Sequence, residues 1–182
     1  MPSQMAWVAL GSNLGDRRRS LDFALRALAG LSGTRLLECS PIYETDPVGP
    51  GRQGRYLNAV ASLDTALGPR ALLDELLSIE RSAGRVREGR APSSARSLDL
   101  DLLLFGNRGA VRIDEPGLRV PHPRMSGRAF VLVPLVDLAP DLVHPELGLT
   151  MAALLAALEV VEATGRKGTG VNRWEPCRRI PR

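Results

Sequence analysis

The 182-residue chain carries a net charge of +4, with 44% hydrophobic and 24% charged residues, which suits one compact domain that needs no disulfide or structural metal to fold. Its positive charge is almost all arginine, Lys167 being the one lysine, and it is not gathered into the kind of basic run that forms a nucleic-acid arm. No apolar stretch approaches the roughly 18 residues that span a bilayer, Cys39 and Cys177 have no metal-ligand spacing, and no signal-peptide pattern opens the chain; a cytoplasmic monomer with no nucleic-acid or membrane partner is expected.

Residues 5–10 are short and apolar and run into Gly11-Ser12-Asn13-Leu14-Gly15-Asp16, a core strand entering a turn. Residues 17–29 place Leu21, Ala24, Leu25 and Leu28 on one helical face, and Gly30 and Gly33 end that helix. Residues 34–43 read as a second strand whose end is weakened by Ser40-Pro41. Residues 45–55 hold two prolines and three glycines and form a long loop of the kind that often carries function. A strand resumes over 56–63.

Residues 68–83 form the second helix, with Pro69 in its first turn, a stripe of Leu72, Leu76, Ile79 and Ala83, and Glu80 beside the stripe. A second long loop, 84–97, carries Arg85, Arg87, Arg90 and Arg96. Residues 98–105 make an apolar strand broken by two aspartates, and 112–120 hold one more short strand. Residues 121–128 are loop, 130–137 and 150–161 are helices, and 164–182 show little periodicity. The order β-α-β-β-α-β predicts an α+β, ferredoxin-like βαββαβ core, an antiparallel sheet with helices on one face, followed by C-terminal helices. The domain is expected to span 1–162, with 163–182 as an extended, partly disordered tail.

The strand Ser97-Leu98-Asp99-Leu100-Asp101-Leu102-Leu103-Leu104-Phe105 is the most informative segment. Alternation puts Leu98, Leu100, Leu102 and Leu104 into the core and Asp99 and Asp101 together on the other face, roughly 7 Å apart. Such carboxylates repel unless a cation sits between them. Either magnesium, which takes one or two carboxylates and completes its shell with water and phosphate, or the arginines of the preceding loop can supply it. Arg85, Arg87 and Arg96 form either a solvated loop surface or a clamp that folds over a polyphosphate.

His122 stands between two prolines, and Arg128 and Phe130 follow; His144, in Val143-His144-Pro145, reads as structural. Aromatic residues are 4% of the chain, so Tyr56 and Phe130 near polar loops suggest either ordinary core packing or a clamp for a flat heterocycle. Asn58 shares a strand face with Tyr56 and offers donors and an acceptor. These residues alone leave open an RNA-recognition module on the same fold, although aspartates stand where that class needs aromatics, and another magnesium-dependent nucleotidyl or phosphodiester enzyme.

Over residues 6–160 the chain resembles the 6-hydroxymethyl-7,8-dihydropterin pyrophosphokinases of folate biosynthesis. The landmarks come in order: Ala9-Leu10-Gly11-Ser12-Asn13-Leu14-Gly15-Asp16, Tyr43-Glu44-Thr45-Asp46-Pro47-Val48-Gly49, Tyr56-Leu57-Asn58-Ala59, Ile79-Glu80, Gly84-Arg85-Val86-Arg87, Arg96-Ser97-Leu98-Asp99-Leu100-Asp101, Val120-Pro121-His122, Arg128-Ala129-Phe130 and Pro134-Leu135. The resemblance implies a stand-alone ATP-dependent diphosphokinase that moves the β,γ-diphosphate of ATP to 6-hydroxymethyl-7,8-dihydropterin and releases AMP. It implies two Mg2+ ions on Asp99 and Asp101, with Asp99 also near the pterin and Asp101 helping to deprotonate the acceptor. Arg85 and Arg96 would be catalytic phosphate clamps, and Glu80, Leu102 and His122 would complete the ATP site. The pterin would stack between Tyr56 and Phe130 and meet Asn58, Thr45 and the backbone at Val48. One departure is plain: the family's Trp-Gly-Pro-Arg is replaced by Ala91-Pro92-Ser93-Ser94-Ala95-Arg96, without the tryptophan.

Overall fold

A computed structural model describes residues 2–47, 54–84, 96–164 and 170–176. Strands β1 (Gln4–Ser12), β2 (Thr34–Cys39), β3 (Ile42–Thr45), β4 (Tyr56–Thr65), β5 (Asp99–Phe105) and β8 (Val171–Glu175) form one six-stranded antiparallel sheet. Its order is β5-β1-β4-β3-β8, with β2 also pairing β4. Helices α1 (Arg17–Ala29) and α2 (Pro69–Ser82) cover one face; α3 (Ala129–Leu138) and α4 (Met151–Thr164) belong to the other. Two apolar layers result. Leu21, Leu25, Leu28, Leu72, Leu76 and Ile79 close on Val8, Leu10, Leu100 and Leu102 below the sheet. Above it, Trp7, Val60, Leu103 and Leu104 meet Val131, Leu132, Leu135, Met151 and Leu154. Among the described residues no helix is long and apolar enough to cross a membrane.

Local chemistry accounts for most of the elements. Asp16 caps α1 by accepting the Arg19 N–H at 3.0 Å, and Pro69 opens α2 where its missing N–H leaves no bond unmade. Four expectations need correction. The strand over 34–43 is two strands, because Pro41 cannot donate to the ladder. There the Val60 N–H turns to Ser40 Oγ at 3.0 Å, while the Ser40 N–H still reaches Val60 O at 2.9 Å. Residues 112–120 hold not one strand but a hairpin, β6 (Ile113–Glu115) paired with β7 (Leu118–Val120).

The third correction concerns β5. Val8 pairs with Leu102 but Trp7 with Leu104, so Leu103 is an extra residue in the strand. A bulge of this kind shifts every later side chain by one face. Leu104 therefore joins Leu103 under α3, not Leu98, Leu100 and Leu102 under the first two helices. The fourth lies in the tail, where β8 pairs antiparallel with the outer edge of β3.

Candidate active site

The end of β1 and the start of β5 lie side by side, Gly11 opposite Asp99 and Ala9 opposite Asp101. Asp99 and Asp101 thus point from one sheet face into a cavity of about 260 Å³. Gly11, Thr45, Asp46, Tyr56, Asn58, Arg96, Arg124, Arg128 and Phe130 complete its wall. A Cβ on Gly11 would stand 3.1 Å from Asn58 Oδ1, so the missing side chain lets the amide occupy the cavity floor.

The Gly11-Ser12-Asn13 turn has a second task. Ser12 Oγ donates to Ser97 O at 2.6 Å, Asn13 N–H to Arg96 O at 3.0 Å, and Arg96 N–H returns to Asn13 Oδ1 at 2.6 Å. These bonds fix the chain just before β5 and seat the Arg96 guanidinium 2.6 Å from Asp99 Oδ1. Burial opposes the Arg96 charge, but the adjacent Asp99 carboxylate outweighs it, and its pKa moves up. Burial also pushes the Tyr56 phenol up, with Arg96 acting against that and Asp99 with it.

The β5 bulge explains the place of His122. Its backbone N–H donates to O of the extra residue, Leu103, at 2.9 Å. Its Nδ1 accepts the Arg124 N–H at 3.2 Å, which leaves Nε2 to carry the proton in the neutral ring. Nε2 lies 3.8 Å from Asp101 Oδ2, and Arg128 Nη1 is at the same distance from that oxygen. Burial lowers the His122 pKa; Asp101 raises it, and Arg128 and Arg124 lower it again. Burial, then Arg124, lower that of Arg128. The Arg128 guanidinium sits over the Phe130 ring, 5.4 Å from its centroid.

Across the cavity, Asn58 Nδ2 donates to Thr45 Oγ1 at 2.7 Å, both side chains being buried. This spends one amide hydrogen and turns the remaining polar edge of Asn58 toward the cavity. Asp99, Asp101, Arg96, Thr45, Asn58, Tyr56 and Phe130 are thus brought to one wall, with His122 beside Asp101. Glu80 and Leu102 are not among the lining residues. Glu80 is 1% exposed and accepts the Leu100 N–H at 2.8 Å, below β5; Leu102 is 4% exposed in the lower core. Val48 and Arg85, with Arg87 and Arg90, lie outside the described residues.

Sequence reasoning did not single out Arg124, Asp46 or Gly11. Gly11 and Asp46 stand inside the motif runs quoted above and Arg124 two residues past His122, so their neighbourhoods were readable but not their places in the cavity wall.

Fold and site together define a class: an α+β protein whose cavity places paired carboxylates and arginines beside two aromatic rings and a buried amide. The family model for 7,8-dihydro-6-hydroxymethylpterin-pyrophosphokinase (HPPK) matches residues 7–140. A Pseudomonas aeruginosa protein named 2-amino-4-hydroxy-6-hydroxymethyldihydropteridine pyrophosphokinase is 51% identical over 154 residues, 85% of this chain and 91% of that protein. A Haemophilus influenzae protein of the same name is 47% identical over 140 residues, 77% and 84% of the two chains. A crystal structure of Plasmodium falciparum HPPK-DHPS superposes with a TM-score of 0.72 at 16% identity, over 94% of this chain and 49% of that one, a likeness of fold. The chain belongs to the 7,8-dihydro-6-hydroxymethylpterin-pyrophosphokinase family.

Proposed function

We infer that this chain transfers the β,γ-diphosphate of ATP to the hydroxymethyl oxygen of 6-hydroxymethyl-7,8-dihydropterin, in folate biosynthesis. The hydroxymethyl oxygen bonds to the β-phosphorus, the bond from that phosphorus to the α,β-bridging oxygen breaks, AMP leaves, and the hydroxyl proton is released. The observation that carries this is the cavity itself, where the polar slot of Asn58, Thr45, Tyr56 and Phe130 adjoins Asp99, Asp101 and the arginines.

The donor set suits magnesium. Asp99 and Asp101 are hard oxygen ligands on one face of β5, both lining the cavity. That matches an ion held by one or two carboxylates and completed by water and phosphates. Asp99 and Asp101 would hold two such ions, which neutralise phosphate charge when bound. The Arg96 guanidinium, 2.6 Å from Asp99 Oδ1, would offer its remaining donors to phosphate oxygens beside ions held by the two carboxylates. Arg124 and Arg128 offer further donors, and Arg85 has the same role. Tyr56 and Phe130 would sandwich the ring, Val48 would supply backbone, Asp101 would take up the acceptor proton, and neutral His122 would turn its Nε2–H to the ATP phosphates. Glu80 supports β5, and through it the aspartate pair; as a nucleotide contact it would act only after exposure.

The strand order β5-β1-β4 followed by β2 and β3 supports a ferredoxin-like reading of the core. Residues 1–162 carry the side chains assigned to catalysis and binding. One assay tests the function: ATP consumption with and without the pterin alcohol, at ordinary magnesium, with the nucleotide product identified. AMP formed only with the pterin supports the assignment. ADP as product, or turnover indifferent to the pterin, refutes it.

A further inference from the structure

Strand β8 lies at the edge of the sheet, beside β3 and not in the cavity. Val171 pairs with Thr45, Asn172 with Glu44 and Arg173 with Tyr43. Thr45 and Tyr43 face the α3 side of the sheet; Tyr43 OH donates to Asp137 Oδ2 of α3 at 2.6 Å. Both ends of β8 are also tied to the strand ends that frame the cavity. At its C-terminal end the Trp174 ring carries the Arg17 guanidinium, 5.3 Å from the centroid. Arg17 reaches Glu44 Oε1 at 3.0 Å and Arg55 O at 2.8 Å. Arg55 then bonds Glu44 at 3.3 Å and Asp46 at 3.0 Å. At the N-terminal end Gly170, at φ 57°, lies so close under Asp46 that a Cβ would meet Asp46 Oδ2 at 3.2 Å. The ring Trp174–Arg17–Glu44–Arg55–Asp46–Gly170 therefore closes on β8 itself.

We propose that β8 is a positioning element for the acceptor substrate: it holds β3 and the flanking Asp46 and Arg55 in the arrangement that binds the pterin, without touching the pterin or ATP. This rests on the function given above. Each exposed ion pair in the ring is weak, but the β3–β8 ladder adds the backbone bonds that an open edge strand lacks. The phosphate side depends on β1, β5 and the turn before β5, none of which pairs with β8. Loss of β8 therefore acts on one substrate. If the competent arrangement of β3 falls to about a tenth of the population, the apparent pterin affinity falls about tenfold.

The test compares the full chain with a chain ending at residue 164 and with Trp174→Ala, Trp174→Phe and Gly170→Val, each checked for folding by thermal melt. Initial rates give KM for ATP, KM for 6-hydroxymethyl-7,8-dihydropterin, and kcat. The expected result is a pterin KM raised about tenfold in the shortened chain and less in Trp174→Ala and Gly170→Val, with ATP KM and kcat within about twofold. Trp174→Phe, which keeps a ring face for Arg17, restores the wild-type value. A parallel rise in both KM values, or unchanged pterin KM in the folded variants, overturns the proposal. Should the shortened chain not fold, Trp174→Ala and Gly170→Val decide by the same split. A full chain that makes no AMP from the pterin refutes the function instead, which is a different outcome from an active full chain matched by its variants.

Discussion

Replacing Asp101 with Asn removes one negative charge while keeping shape and some hydrogen bonding. Its Oδ2 stands 3.8 Å from both His122 Nε2 and Arg128 Nη1. At that separation a unit pair is worth about 1 kcal/mol in a water-like medium and about 4 at an effective dielectric near 20. The Asp101 side chain is 35% exposed, so the low end applies, and the loss of stability is about 1 kcal/mol or less. For a chain of this size that lowers Tm by at most about 4 °C. On the function inferred above, the effect on catalysis is larger, because there the carboxylate would organise charge that develops in the transition state. Removing one such group costs about 10²–10³ in kcat, roughly 2.7–4 kcal/mol.

Asp101 is also the largest influence raising the His122 pKa, against burial and two arginines. In the variant that pKa falls further. With two histidines in the chain, proton NMR follows His122 directly. The assay is AMP release at saturating ATP, pterin and magnesium, beside thermal melts and the His122 titration. Turnover within tenfold of wild type, or a drop in Tm large enough to explain the lost activity, refutes the reasoning.

Four further outcomes follow from the geometry. Gly11→Val crowds Asn58 Oδ1, now 3.1 Å from the added carbon, and raises pterin KM more than ATP KM in initial-rate measurements. Thr45→Val leaves a buried Asn58 amide hydrogen unpaired and lowers unfolding free energy in urea titrations by about 1–3 kcal/mol. Burial and the bond to Asp137 push the Tyr43 phenol up to about 12. Its folded pKa lies above the unfolded value near 10, so its stabilising effect holds below pH 10 and is lost as pH rises toward 12; Tyr43→Phe removes the ultraviolet titration step near 12.

The His144 pKa is lowered by burial, with Glu146 opposing and Arg112 assisting; its Nδ1 accepts the Glu146 and Leu147 N–H groups at 3.3 Å. Protonation is disfavoured in the fold, so stability is full above the unfolded value near 6.5 and declines as pH falls below it. Urea midpoints at pH 7 and pH 5 should differ less in His144→Asn.

What the sequence determined by itself was whatever depends on local period and residue chemistry. The spacing of Leu21, Ala24, Leu25 and Leu28 decides the buried face of α1, and alternation decides that Asp99 and Asp101 share a face. The order of helices and strands, and the motif run from Gly11 to Phe130, carried the family and the cavity's main residues. Only tertiary structure decided the rest. The bulge at Leu103 depends on how β1 pairs with β5, and it alone turns Leu104 over and offers the carbonyl that seats His122. The motif run includes Glu80, but only the packing of α2 under β5 brings its Oε1 to the Leu100 N–H. Residues 171–175 have no strong strand pattern because an edge strand draws its stability from a partner distant in the chain. Short-range chemistry is written along the chain, whereas register, bulges and edge pairing exist only between segments the fold has brought together.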